Sequence, residues 1–335
     1  MYDEVRNHLQ DLLKSGIITK SHSPWSSNIV LCRKKDNSLR MCVDFRQLNR
    51  RTIKDAYALP HIDEILDNLV GAKYFSVLDM KSRYHQVELK STDKCKTAFT
   101  VGPLGFYQFN RMPFGLTNAP ATYQRLMEEC LGDLHLKICM IYLDDVIIFS
   151  DSYEQHLERL QLVFQRFEEW GLKLAPKKCK FFQTKVKYLG HVVSSEGVHT
   201  DPEKVNKVTD WKIPTNIDEL RSFLGFAGYY RRFIKNFSKI AQPLNELLTG
   251  TTSSKTRGRK GKTEQPNVWK WKTDQDQAFE HLKEALITTP VLAYPDSTKS
   301  YILHVDASGV GLGAILFQHQ DGKDRVIAYA SSTVR

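Results

Sequence analysis

A chain of 335 residues exceeds what one small core accommodates and points to two or three domains of ordinary size. Hydrophobic residues at 41% with 11% aromatics exclude a disordered or collagen-like chain, and no apolar run is long enough to span a bilayer. The 48 Lys+Arg against 38 Asp+Glu leave a net charge of +10, which favours a polyanionic partner such as nucleic acid. Cys32, Cys42, Cys95, Cys130, Cys139 and Cys179 form no C-x-x-C pair and are expected to stay reduced. With no N-terminal signal pattern, this predicts a soluble intracellular protein with no membrane partner.

In chain order, "YDEVRNHLQDLLKSG" places Val5, Leu9, Leu12 and Leu13 on one helical face and stops at Gly16. "NIVLCRKKDNSLRMCVDF" reads as two strands around a polar turn, which would cluster Arg33, Lys34, Lys35 and Arg40 on a hairpin. "LPHIDEILDNLVGAKYFSVLDM" predicts a helix from near Pro60 to near Gly71, then a strand Tyr74 to Leu78 that delivers Asp79 at its end. "NAPATYQRLMEECLGDL" and "YEQHLERLQLVFQRFEEWG" show helical spacing, the second with Leu157, Leu160, Val163, Phe164 and Phe167 inward and Gly171 closing it. Between them "CMIYLDDVIIF" predicts two buried strands with Asp144 and Asp145 as the turn of a hairpin.

Beyond these, "VKYLGHVVSSEG" predicts another hairpin, and Pro202 to Leu248 is largely helical. "TGTTSSKTRGRKGKTEQ" has linker composition. "DQDQAFEHLKEALI" is helical, and "YILHVDASGVGLGAILFQHQDGKDRVIAYAS" reads as three strands with Asp-Gly at the second turn. With no helix following to cover that sheet, the sequence is expected to be cut inside a domain. The whole is an α+β pattern, helices on one face of a mostly antiparallel sheet, with the other face free for a large ligand.

Two adjacent carboxylates repel by roughly 4 kcal/mol at 4 Å if the effective dielectric is about 20. Either Asp144 and Asp145 sit in a solvated turn, or a divalent cation joins them with further oxygen ligands from elsewhere. Asp79 is the natural third carboxylate. Three such groups suit a pair of Mg²⁺ ions, the usual device of phosphoryl transfer in polymerases.

"RMCVDFRQLNRRT", "FSVLDMKSRYHQV", "KTAF", "FNRMPFGLTNAPATYQRLM", "IYLDDVIIFS", "GLKLAPKKCKF", "YLGHVVSSEG", "WKIPTNIDELRSFLGFAGYYRRFI" and "PVLAYPD" follow in this order. The ordered set, over nearly the whole chain, resembles the reverse transcriptase of gypsy-type LTR retrotransposon polyproteins, joined to the beginning of its RNase H domain. The resemblance implies a right-hand fold, with fingers and palm over 1–194 and a thumb over 195–250. A basic linker and connection would fill 251–298, and an incomplete RNase H-like sheet 299–335.

It also implies roles. Asp79, Asp144 and Asp145 match the palm carboxylates that hold two Mg²⁺ ions, or Mn²⁺ in their place, with the Met80 carbonyl a further metal contact. Lys35 (or its neighbour Lys34) and Arg40 match the fingers cations on the incoming triphosphate. Tyr84 matches a gate against the 2′-hydroxyl, Phe114 and Gly115 the nucleotide-pocket wall, and Gly190 the primer grip. A solvated basic turn, core aromatics and a helix entry with Asn118 as cap are the plainer readings of these same residues.

Arg83 departs from the glycine usual in relatives, so a long cation enters the pocket wall, where it either contacts phosphate or crowds the site. The implied function is extension of a primer on an RNA or DNA template with deoxynucleoside triphosphates. The alternative is a catalytically weakened nucleic-acid-binding remnant; a bulky Tyr84 argues against an RNA-dependent RNA polymerase. Asp306 resembles the first RNase H carboxylate, whereas Asp321 and Asp324 read as turn residues, so no RNase H cleavage is expected. The family implies a cytoplasmic particle.

Overall fold

The computed structural model describes residues 2–33, 37, 39–248, 269–309 and 311–333. Lys34, Lys35 and the basic stretch 251–268 lie outside the described residues. The chain forms two compact units, Met1–Ile65 with Lys73–Gln183, and Leu66–Ala72 with Thr184–Arg335. Compactness thus assigns the 185–194 hairpin to the second unit, whereas the resemblance attaches it by function to the palm.

The first unit opens with α1 (Tyr2–Lys14), which buries Val5, Leu9 and Leu12 and carries Asp3 and Glu4 in its first turn and Lys14 in its last, as the helix dipole favours. Next come β1 (Ile18–Lys20), then β2 (Ile29–Arg33) and β3 (Leu39–Val43), an antiparallel pair. After α2 (Arg46–Arg51) and α3 (Ile62–Asp67), whose last two residues fall in the second unit, β4 (Tyr74–Asp79) follows. The helix predicted from Pro60 to Gly71 is shorter than expected, its last residues turning before Gly71. Short α4 (Ser91–Lys94) leads to β5 (Phe99–Thr100) and β6 (Phe106–Phe109), and the sheet order is β1-β6-β5. Val5, Leu9, Ile18, Phe45, Phe99 and Phe109 form the core beneath it.

The larger core of this unit lies under α5 (Ala119–Leu131) and α6 (Tyr153–Glu169). These helices pack with β7 (Cys139–Tyr142), β8 (Asp145–Ser150), β4 and β9 (Lys180–Gln183), a sheet of order β7-β8-β4-β9. Leu78, Tyr123, Met127, Ile141, Val146, Ile148, Leu160, Val163 and Phe167 are buried in that core. Removing each such side chain from water contributes on the order of 1.5–3 kcal/mol.

The inward stripe of α6 differs from expectation. His156, Leu160, Val163 and Phe167 are buried, while Leu157 is 54% and Phe164 38% exposed. The sheet offers His156 two hydroxyls, Ser76 Oγ at 2.7 Å from Nε2 and Ser150 Oγ at 2.8 Å from Nδ1. A histidine with both nitrogens satisfied is tolerated inside where apolar periodicity alone would exclude it.

In the second unit β10 (Lys185–Tyr188), β11 (His191–Ser194) and β12 (Gly197–Thr200) form an antiparallel sheet. Helices α7 (Pro202–Thr209), α8 (Ile217–Tyr229) and α9 (Phe237–Glu246) follow, with Asp201 and Asn216 capping the first two. Beyond the undescribed stretch, α10 (Thr273–Ile287) packs on α9. Strands β13 (Tyr301–Ser308), β14 (Gly311–Gln320) and β15 (Lys323–Thr333) make the predicted meander. No helix among the described residues is long and apolar enough to cross a membrane.

Candidate active site

Strands β4 and β8 pair in register from Tyr74↔Ser150 to Asp79↔Asp145, so the last residue of one faces the first of the other. On its other side Asp145 pairs with Tyr142, which leaves Leu143 and Asp144 as the two-residue turn. The expectation that both aspartates form the turn is therefore corrected, because the backbone of Asp145 belongs to the ladder. Leu143 has φ +55, a conformation that bulky residues avoid at a cost of about 1–3 kcal/mol and that clusters at functional sites. Asp79 and the pair Asp144 and Asp145, whose first member lies 65 residues further along the sequence, thus come together at one end of one sheet.

Asp144 is 5% exposed, and its Oδ2 makes no hydrogen bond of good geometry among the described residues. Arg83 stands beside it, with Nε 2.5 Å from Asp144 Oδ2 and Nη2 3.8 Å from Asp79 Oδ2. Lys178 Nζ lies 3.4 Å from Asp79 Oδ1. Burial pushes the Asp144 carboxyl above the usual range, and the Arg83 guanidinium only partly opposes it. Asp145 is pushed up to about 6 by burial first and by the charge of Asp144 second.

The Tyr84 ring lies next to this cluster, on the short 3-10 helix Arg83–Gln86, 5.1 Å from the Phe114 ring and 5.6 Å from that of Tyr123. Burial and then the charge of Asp144 raise its hydroxyl pKa. Phe114 is 45% exposed, so it presents a ring to solvent beside Tyr84. Gly115 follows with φ +94, its carbonyl accepting from Asn49 Nδ2 at 2.8 Å. Met80, buried after Asp79, bridges to Leu174. Arg40 is exposed on β3 opposite Cys32. Lys35 lies outside the described residues.

Gly190 belongs to the second unit, where Leu189 and Gly190 form the β10–β11 turn with φ +45 and +73. Two positive φ values in a two-residue loop match the strand twist, and glycine takes the second without strain. Tyr229 and Tyr230 donate to the Leu189 and Gly190 carbonyls at 2.5 and 2.7 Å. Asp306 is exposed on β13 opposite Gly313. Asp321, φ +53, is in the turn as expected, but Asp324 is on β15, 3.0 Å from His319 Nδ1.

Asn118 precedes α5 but does not cap it with its side chain; Oδ1 instead accepts from Asp55 N at 3.1 Å and Nδ2 donates to the Ile53 carbonyl at 2.8 Å. Sequence reasoning also passed over Gln124. It is fully buried, and its Oε1 accepts from Leu143 N at 2.5 Å. Its signal was an amide on the apolar face of α5, one turn from Met127.

No group of three or more metal-ligating side chains stands ready-made among the described residues. The donor set nevertheless fits a hard divalent cation: Asp79 and Asp145 stand opposite each other at the strand ends, and Asp79 and Asp144 both reach the same guanidinium. A cation is already present among them, in the form of Arg83.

A family model described as reverse transcriptase (RNA-dependent DNA polymerase) matches residues 32–193. A second, the RNase H-like domain found in reverse transcriptase, matches 271–335. Two foamy viral protease-reverse transcriptase structures share the fold at 26% identity. One, in complex with dsDNA, has a TM-score of 0.85 over 100% of this chain and 66% of that one. The other, in complex with RNA/DNA hybrid, has a TM-score of 0.80 over 99% and 43%. The chain belongs to the reverse transcriptase family.

Its relatives include Pol polyproteins of Drosophila transposons, that of gypsy among them, and a Tf2 polyprotein. It is 40% identical over 321 residues to the retrovirus-related Pol polyprotein from transposon 297 of Drosophila melanogaster, covering 94% of this chain and 29% of that protein. To the corresponding polyprotein from transposon gypsy it is 39% identical, over 99% of this chain and 32% of the relative. To the transposon Tf2-3 polyprotein of Schizosaccharomyces pombe it is 35% identical, over 99% and 24%. The chain therefore spans a third or less of the length of these curated relatives.

Proposed function

We propose that this chain is an RNA-directed DNA polymerase, in which the 3′-hydroxyl of a primer attacks the α-phosphate of a deoxynucleoside triphosphate. The observation that supports this reading best is the meeting of Asp79, Asp144 and Asp145 at the end of β4 and β8. These carboxylates, with the Met80 carbonyl, would hold two Mg²⁺ ions, or Mn²⁺ in their place. Such ions, when bound, activate the attacking oxygen and neutralise charge on the leaving one.

The remaining roles fall to the protein. Arg40 and Lys35 hold the triphosphate as fixed cations. The Tyr84 ring, braced by Phe114 and Tyr123, excludes a 2′-hydroxyl by its bulk. Gly115 keeps the pocket wall thin, and the Gly190 turn orients the primer. Fingers and palm over 1–194 and the thumb over 195–250 are the parts these residues serve. The template is RNA or DNA, and the basic surface binds its backbone.

The test is extension of a DNA primer on an RNA template. Wild type should extend with deoxynucleotides only when Mg²⁺ or Mn²⁺ is present, and Asp144→Asn should lose the several kcal/mol of charge stabilisation a metal supplies, a loss of at least about a hundredfold. Undiminished extension by Asp144→Asn would refute the assignment. The Arg83 ion pairs favour one second reading, a polymerase of weakened turnover, for which nucleic acid would bind with little extension.

A further inference from the structure

Ser82 and Arg83 take φ of +57 and +40 in succession, a backbone that L residues with a side chain rarely adopt. This conformation sends the Arg83 guanidinium to the carboxylates, 2.5 Å from Asp144 Oδ2 and 3.8 Å from Asp79 Oδ2. Asp144 is 5% exposed, so its charge has little water to answer it. The ion pair is not locked from the other side, since the Arg83 side chain is 40% exposed and can leave toward solvent without opening a core. Lys178, 66% exposed, approaches Asp79 at a different oxygen, 3.4 Å from Oδ1, and does not reach Asp144 in any ion pair among the described residues.

A divalent ion on Asp79 and Asp144 requires the same two carboxylates that Arg83 now neutralises. Both cannot hold them at full strength, because two cations at hydrogen-bonding range of one oxygen repel each other. We propose that Arg83 is the resident cation of this pocket and that a divalent ion enters by displacing it, so that the arm sets the metal concentration the site needs. The inference rests on the carboxylate reading given under Proposed function. Its cost follows from simple competition: an arm seated for all but about a tenth of the time weakens apparent metal affinity about tenfold.

The test titrates Mn²⁺ alone into the full chain, without nucleic acid, and follows the free ion by electron paramagnetic resonance. Arg83→Ala and the bulkier Arg83→Gln should each bind Mn²⁺ about tenfold more tightly than wild type if the arm is seated nine-tenths of the time. Lys178→Gln removes the same unit of charge from the cluster without vacating Asp144, and should shift affinity much less. Asp144→Asn should abolish tight binding in both the wild-type and the Arg83→Gln background. Equal affinity in wild type and both Arg83 variants, or an equal gain in Lys178→Gln, would overturn displacement. Retention of tight binding by Asp144→Asn would instead overturn the carboxylate reading itself, so the two failures are distinguishable.

Discussion

The backbone N–H of Leu143 donates to Oε1 of Gln124 at 2.5 Å, joining the strained tip of the β7–β8 hairpin to the middle of α5. The amide is fixed in turn, since its Nε2 donates to Glu128 Oε1 at 2.6 Å, and Glu128 also accepts from the Tyr57 hydroxyl. A fully buried amide with both ends engaged holds one orientation. Asp144 follows Leu143 directly, so the position of a carboxylate depends on a residue that bears no charge.

Replacing Gln124 by Leu leaves the Leu143 N–H and a Glu128 oxygen without their partner. A buried group left unsatisfied costs about 1–3 kcal/mol, and stability should fall by that order in denaturant melts. Steady-state primer extension should show a lower kcat with little change in the KM for nucleotide, because the hairpin tip rather than the nucleotide wall is loosened. A change confined to KM would disprove this positioning role.

Tyr84→Ala should admit ribonucleotides. The ring is held against Phe114 and Tyr123 at 5.1 and 5.6 Å between centroids, so its bulk is fixed rather than mobile. Competitive incorporation of paired deoxy- and ribonucleotides checks this. Unchanged discrimination would remove Tyr84 from the nucleotide site.

His156 should make the fold acid-sensitive. Ser150 donates its proton to the Ser152 carbonyl at 2.9 Å and so accepts from Nδ1–H, which leaves Nε2 of the neutral ring as an acceptor to which Ser76, itself accepting from Phe182 N at 3.1 Å, donates. The neutral ring is satisfied, and a second ring proton would confront the Ser76 hydroxyl proton. Burial accordingly lowers its pKa to about 4. The unfolded chain, with a pKa near 6.5, takes up this proton first, so the contribution is fully present above about pH 6.5. It is lost as pH falls toward about 4, an effect of roughly 3 kcal/mol. Urea melts of wild type and His156→Gln between those limits should show a steeper loss in wild type; parallel losses would rule His156 out as the cause.

Gly190→Ala should disturb the β10–β11 turn. The left-handed φ of +73 costs an alanine about 1–2 kcal/mol, and the added Cβ would lie 2.6 Å from Lys204 Nζ, a flexible end that can move away. Backbone strain therefore decides the effect. Weaker primer–template binding with unaltered nucleotide KM is expected in filter-binding and extension assays, and no change in either would remove Gly190 from primer contact.

Much of the site was legible because its elements obey local rules. An apolar run ending in Asp79, and two more flanking Asp144 and Asp145, identify strand ends, and the antiparallel pairing of β4 with β8 makes those ends coincide. What escaped depended on long-range partners. His156 faces inward where Ser76 and Ser150 satisfy it on two strands, and the strained hairpin tip at Leu143 is held by Gln124 from across the fold. Asn118 gives up its cap for two backbone groups more than 60 residues away in sequence. Arg83 stood out by residue type, but its seat on Asp144 follows from a backbone conformation no pattern announces.

Single-nucleotide addition by wild type and Asp79→Asn bears most directly on the whole account, because Asp79 reaches the hairpin only through the fold. The expected result is Mg²⁺-dependent addition of a deoxynucleotide by wild type, reduced at least about a hundredfold in Asp79→Asn, with primer–template affinity retained. Equal rates in the two proteins would contradict it.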